Sequence, residues 1–179
     1  MRPSTLSRGY AARTVAAGVA MLIGMTAFTA RADQRLRDAS PSVDAAVQRL
    51  LDALKTKDKE ALRRLRVTET EYKEIIIPGN VDPGMPAQQF PDQLSDYAWG
   101  IINGKSIYVE ANILHDFGGH DYKIKDVLYR KGIKQYAGFK AYKQLVLTLE
   151  DEKGAKRQLS TGTVVDVDGQ FKFVSFVRD

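Results

Sequence analysis

Apolar residues in this chain change their spacing partway along it, and that change limits the folds open to it. Val43, Ala46, Val47, Leu50, Leu51 and Leu54 recur at steps of three and one, which marks one face of an α-helix. Ser40 suits the N-cap and Pro41 the first helical position, where a missing N–H costs nothing. Asp58 can cap a second, shorter helix carrying Ala61, Leu62 and Leu65. Thr68-x-x-Glu71 has the form of a capping box, opening a helix through Tyr72, Ile75 and Ile76 that Pro78-Gly79 ends. The C-terminal third alternates instead. Residues 122–129 do so, residues 143–149 put Leu145, Leu147 and Leu149 on one face, residues 159–167 read as one strand, and residues 171–177 as the last. Glu152-Lys153-Gly154 and Asp168-Gly169 supply the turns, the second a strong two-residue hairpin signal. Helices first and a meander of strands last predict an α+β domain with N-terminal helices packed on an antiparallel sheet of about four to six strands.

The middle of the chain is less regular. Residues 78–91 hold four of the six prolines with Gly79 and Gly84, and read as an ordered, irregular loop. Over residues 92–117, Gly100 and Gly104 weaken a continuous helix. The expectation is two helical pieces parted near Asn103-Gly104, the second capped by Ser106 and stopped by Gly118-Gly119.

The N-terminus carries Arg2, Arg8 and Arg13, then an apolar run over residues 14–30, then Ala30-Arg31-Ala32 before Asp33. That is the order of a cleavable secretory signal over residues 1–32, and places the product in the periplasm or outside the cell. A flexible lead over residues 33–39 and one domain over residues 40–179 would follow, with no membrane contact after cleavage. Four of the 27 basic residues lie in the leader and none of the 22 acidic ones do, so 23 cations face 22 anions beyond it. The formal +5 therefore gives no ground for a nucleic-acid partner. The absence of cysteine excludes a thiol nucleophile, a thiolate metal site and a disulfide framework.

Leu51-Asp52-Ala53-Leu54-Lys55, the Asp58-led helix directly after it, and the closing Val167-Asp168-Gly169-Gln170-Phe171-Lys172-Phe173-Val174-Ser175-Phe176 give an order of elements that resembles the nuclear transport factor 2-like superfamily, which includes ketosteroid isomerase. The resemblance would span residues 42–178 and implies a cone-like fold, a curved sheet around a cavity closed by the N-terminal helices. No residue of the isomerase chemistry can be placed on this chain position by position.

Candidate site residues come from two clusters. His115-Asp116-Phe117-Gly118-Gly119-His120-Asp121 holds both histidines, but His-x-x-x-x-His is out of phase on a helix and matches no established metal motif, so no metal or other cofactor is expected. Tyr97, Trp99, Tyr108 and Tyr129 pair apolar bodies with polar tips, and with His115 they form the expected ligand-binding set. No phosphate loop and no Gly-x-Ser-x-Gly elbow is present. The sequence thus points to an exported, non-catalytic domain that binds a small molecule or a partner protein through a cone-shaped cavity. A small acid/base enzyme of isomerase, dehydratase or hydrolase type, using a cavity carboxylate or His115, is the alternative. A structural module, forming a homodimer through its outer sheet face, is the third.

Overall fold

The computed structural model describes residues 35–177; the expected leader and its cleavage point lie outside the described residues. Within the segment expected as a flexible lead, Leu36 is buried and its N–H donates to Gln170 Oε1 at 2.7 Å. Helix α1 (Val43–Thr56) starts two residues later than expected. Ser42 is its N-cap, accepting from Ala45 N at 3.0 Å, because Ser40 is already bonded through its backbone to Phe171. Asp58 caps α2 (Lys59–Arg64), and the Thr68–Glu71 capping box forms as expected. From there α3 (Glu69–Glu71), a π-helical stretch (Tyr72–Ile76) and α4 (Ile77–Gly79) run on as one irregular helix.

Residues 92–117 form a single 26-residue helix, α5 (Asp92–Phe117), and not two pieces. A Cβ on Gly100 or Gly104 would meet nothing within 4 Å, so these glycines cost helix propensity but force no break. Ser106 is buried mid-helix and caps nothing.

The single curved sheet is corrected. Among the described residues seven strands form two separate antiparallel sheets, neither curved nor closed into a cone. One holds β1 (Lys123–Tyr129), β4 (Leu145–Glu150) and β5 (Lys156–Ser160) in the order β1-β4-β5. The other holds β2 (Ile133–Gln135), β3 (Lys140–Tyr142), β6 (Val164–Val167) and β7 (Gln170–Phe173) in the order β2-β3-β6-β7. Residues 159–167 alternate in one phase but split between β5 and β6 at Gly162, whose Cβ would lie 2.5 Å from Ser175 O and 2.6 Å from Val177 O. Close backbone approach overrides the pattern there. A second switch follows β3, where Gln144 takes a φ of 56°. The Asp168-Gly169 hairpin joins β6 to β7 as expected, with φ of 51° and 82°.

Two apolar cores flank the four-stranded sheet. The larger joins the α1 face and Leu62 to Leu145, Leu147, Leu149, Val164 and Phe173. The smaller joins Val67, Ile75 and Ile76 to Phe139, Ala141, Val165 and Val167. With Val164 in one core and Val165 in the other, β6 is covered on both faces and reads as nearly continuous apolar sequence. No helix among the described residues is long and apolar enough to cross a membrane.

Gly162→Ala is expected to cost roughly 2–3 kcal/mol, because backbone oxygens and not a flexible side chain oppose the new methyl. Gly100→Ala is expected to stabilise by roughly 0.5–1 kcal/mol. Urea unfolding of the two variants checks both signs.

Candidate functional site

A cleft of about 500 Å³ opens where the helical half meets β7. It is lined by Arg37 and Asp38, by Arg63, Arg64, Arg66, Val67 and Thr68 from the end of α2 to the start of α3, by Trp99, Asn103 and Ile107 of α5, and by Lys172 of β7. The α5 residues fall at successive steps of four and so lie along one edge of the helix.

Backbone pairing fixes the arginine segment. Val67 N donates to Phe173 O at 2.8 Å and Phe173 N donates to Leu65 O at 3.0 Å, which lays residues 65–67 alongside β7 in parallel. Arg66, only 4% exposed, then reaches into α5. Its Nη1 donates to Glu110 Oε1 at 2.6 Å and its Nη2 to Asn103 Oδ1 at 3.2 Å. Glu110 is fully buried. Arg63 Nε stands 3.7 Å from Glu110 Oε2, too far for a hydrogen bond. Arg66 Nε, Glu110 Oε2 and Ser106 Oγ are all buried without a hydrogen-bond partner.

Next to it lies a second buried pair with a different character. Lys172 Nζ donates to Glu71 Oε2 at 2.9 Å and to Arg37 O at 2.8 Å. Glu71 Oε2 also accepts from Thr68 N at 2.7 Å, and Glu71 Oε1 from Arg37 N. Both carboxylate oxygens are thus satisfied.

Of the five residues expected to bind ligand, only Trp99 lines the cleft, with its ring 5.6 Å from that of Tyr72, whose phenol pKa burial pushes up. Tyr97 and Tyr108 stand on the outer face of α5, 69% and 71% exposed. His115 is exposed, its Nδ1 2.8 Å from Asp116. Tyr129 packs on Tyr142 against the larger core, and burial raises its pKa. His120 turns away to Glu152, whose carboxyl is held below its usual range by backbone hydrogen bonds first and by His120 second. The two histidines therefore do not converge, and among the described residues no three His, Asp or Glu gather as a metal site. A larger hollow of about 610 Å³ beside residues 89–96 has its cation, Lys73, already engaged by Glu69 and Asp96.

Sequence reading passed over Arg63, Arg64, Arg66, Asn103 and Lys172 as site residues. One signal was available, since Glu110 sits four residues after Ser106 and three before Ile113, on the stripe of α5 that is buried. No family model, curated protein or solved structure matches the chain.

Removing one partner of the buried pair should leave the other charge unpaired. Arg66→Met and Glu110→Leu are each expected to cost about 3–5 kcal/mol, and the double variant clearly less than their sum. A double-mutant cycle by urea unfolding measures the difference; strict additivity would mean that the pair is not coupled.

Proposed function

We propose that this domain binds a small anionic ligand with a flat apolar part, the anion on the arginines of the cleft and the apolar part against Trp99 and Ile107. The observation that carries this reading is Arg66, buried in the cleft wall with both Nη groups engaged and its Nε–H unpartnered. A buried donor left unmade costs roughly 1–3 kcal/mol, and a carboxylate or phosphate oxygen would relieve it. Arg37, Arg63 and Arg64 add exposed guanidinium groups around the same space, against one lining carboxylate, Asp38. Glu110 and Glu71 sit behind Arg66 and Lys172 and offset their charge, so the site selects by placed donors more than by a strong field. An acid/base role for His115 finds no support in its position, exposed and outside the cleft lining. The leader reading puts this binding outside the cytoplasm, supported by the arginines and the Ala30-Arg31-Ala32 site; an intact mass and N-terminal sequence beginning at Asp33 would bear it out.

Trp99 is the only tryptophan, so its fluorescence reports on the cleft directly. Titration with phenyl phosphate should give a saturable change, with inorganic phosphate binding more weakly for want of the apolar contact. Arg64→Ser, at an exposed position, should weaken phenyl phosphate binding about tenfold. No saturable change with either probe up to millimolar concentration would overturn the reading.

A further inference from the structure

Helix α5 is dressed the wrong way round for a helix that meets only its own domain. Of its four buried residues three are polar, Ser95, Ser106 and Glu110, and one is Ile113. Its solvent side carries Leu94, Tyr97, Ile101 and Tyr108, 55%, 69%, 42% and 71% exposed, with Ile107 beside them at 41%. Leu94, Tyr97, Ile101, Gly104, Tyr108 and Ala111 are all exposed and follow one another at steps of three and four, which is the seam of a helix pair. The flanks of that seam, Gln93, Ala98, Gly100, Lys105, Ile107, Asn112 and Leu114, hold a single charge.

The geometry points to a second copy of this chain as the occupant, docked with the two α5 helices antiparallel. The seam mirrors itself about the point between Ile102 and Asn103. Read from opposite ends, Leu94 meets Ala111, Tyr97 meets Tyr108 and Ile101 meets Gly104. Each large side chain at the first and third levels thus faces a small one, and the two-fold axis repeats every contact. Self-complementarity of that kind is what an isologous interface requires. Gly104 fits the same account. Its Cβ would meet nothing within 4 Å and its φ is ordinary, so nothing inside the protomer calls for glycine in mid-helix, whereas Ile101 of a copy would fill that space. The five large exposed side chains present roughly 600 Å² of surface, against about 800 Å² per partner in a standard interface. Gly100, Gly104, Ala111 and the stem of Lys105 extend the patch toward that size. This surface is distinct from the outer sheet face expected from sequence and does not rest on the cleft's ligand.

The test begins with sedimentation equilibrium on the full chain and on the compact unit from Asp33 to Asp179. Both should be dimers, and Tyr97→Asp with Tyr108→Asp should leave a monomer with unchanged far-UV circular dichroism and a Tm that no longer depends on protein concentration. Because the chain has no cysteine, the register can be read by cross-linking. Leu94→Cys combined with Ala111→Cys should give covalent dimers with a short bis-maleimide, which alkylates both thiols, and neither single variant should. Monomeric wild-type protein in both forms would overturn the inference, as would a dimer that survives the double aspartate. Cross-linking by Leu94→Cys alone would show a parallel pair and overturn it too. A dimer in only one of the two forms would assign either the seam's cover or the association itself to residues 1–32, against this proposal.

Discussion

The helical half and the sheets of this domain are fastened to each other along β7. Phe171 exchanges two backbone hydrogen bonds with Ser40, at 2.9 and 2.8 Å, and Phe173 exchanges two with Leu65 and Val67. An edge strand that would otherwise present open N–H and C=O groups is thereby closed on its free side by the chain just before α1 and just after α2. Period-two geometry does the rest. Phe173 enters the larger core, and Lys172, one residue back, points to the opposite side and meets Glu71. Arg66 is carried into position by the same pairing, so both buried ion pairs and the cleft between them hang on one short strand.

The two pairs differ in how completely they are satisfied. Desolvating a carboxylate and a cation costs several kcal/mol each, which an ion pair repays only when the remaining lone pairs and protons find partners. Glu71 meets that condition, with two backbone N–H groups and Lys172 on its oxygens, while closing the capping box at the start of α3. Glu110 does not, since Oε2 lacks a hydrogen bond while Arg66 Nε and Ser106 Oγ lie buried and unpartnered. Full satisfaction suits a fastening that ties the N-terminal segment, α3 and β7 together. Incomplete satisfaction at Glu110 leaves buried donor and acceptor atoms whose desolvation no hydrogen bond offsets.

Local chemistry was legible in the sequence wherever the deciding partner lay within a few residues. The apolar face of α1, the Asp58 cap, the Thr68–Glu71 box and the Asp168-Gly169 turn depend on neighbours in the chain, and each stands where expected. What was missed depends on distant segments. Residues 159–167 keep an unbroken alternation, and only the carbonyls of Ser175 and Val177 against Gly162 divide them. β2 and β3, three residues each, are too short to show a period. Ser40 reads as a cap until Phe171 claims its backbone. The site was nearly illegible for the same reason, since Arg66 and Glu110 lie 44 positions apart and Glu71 and Lys172 101 apart. Aromatic residues drew attention because they crowd the sequence, yet only Trp99 of the chosen tyrosines and tryptophan shares a space with the cations.

Helix α5 explains why one passage of sequence defeated a simple reading. It meets three environments at once: a buried stripe with Ser106, Glu110 and Ile113, a cleft edge with Trp99, Asn103 and Ile107, and an open face with Leu94, Tyr97, Ile101 and Tyr108. Apolar residues therefore fall all around the helix, and no single face stands out. With so little apolar surface turned inward, its attachment to the domain leans on Arg66 reaching Glu110 and Asn103 in addition to packing by Val109 and Ile113. Charge on one side and exposed apolar surface on the other are thus two consequences of one assignment of residues around a cylinder. A helix held inward by a salt bridge is free to spend its apolar residues elsewhere, and α5 spends them on the outside.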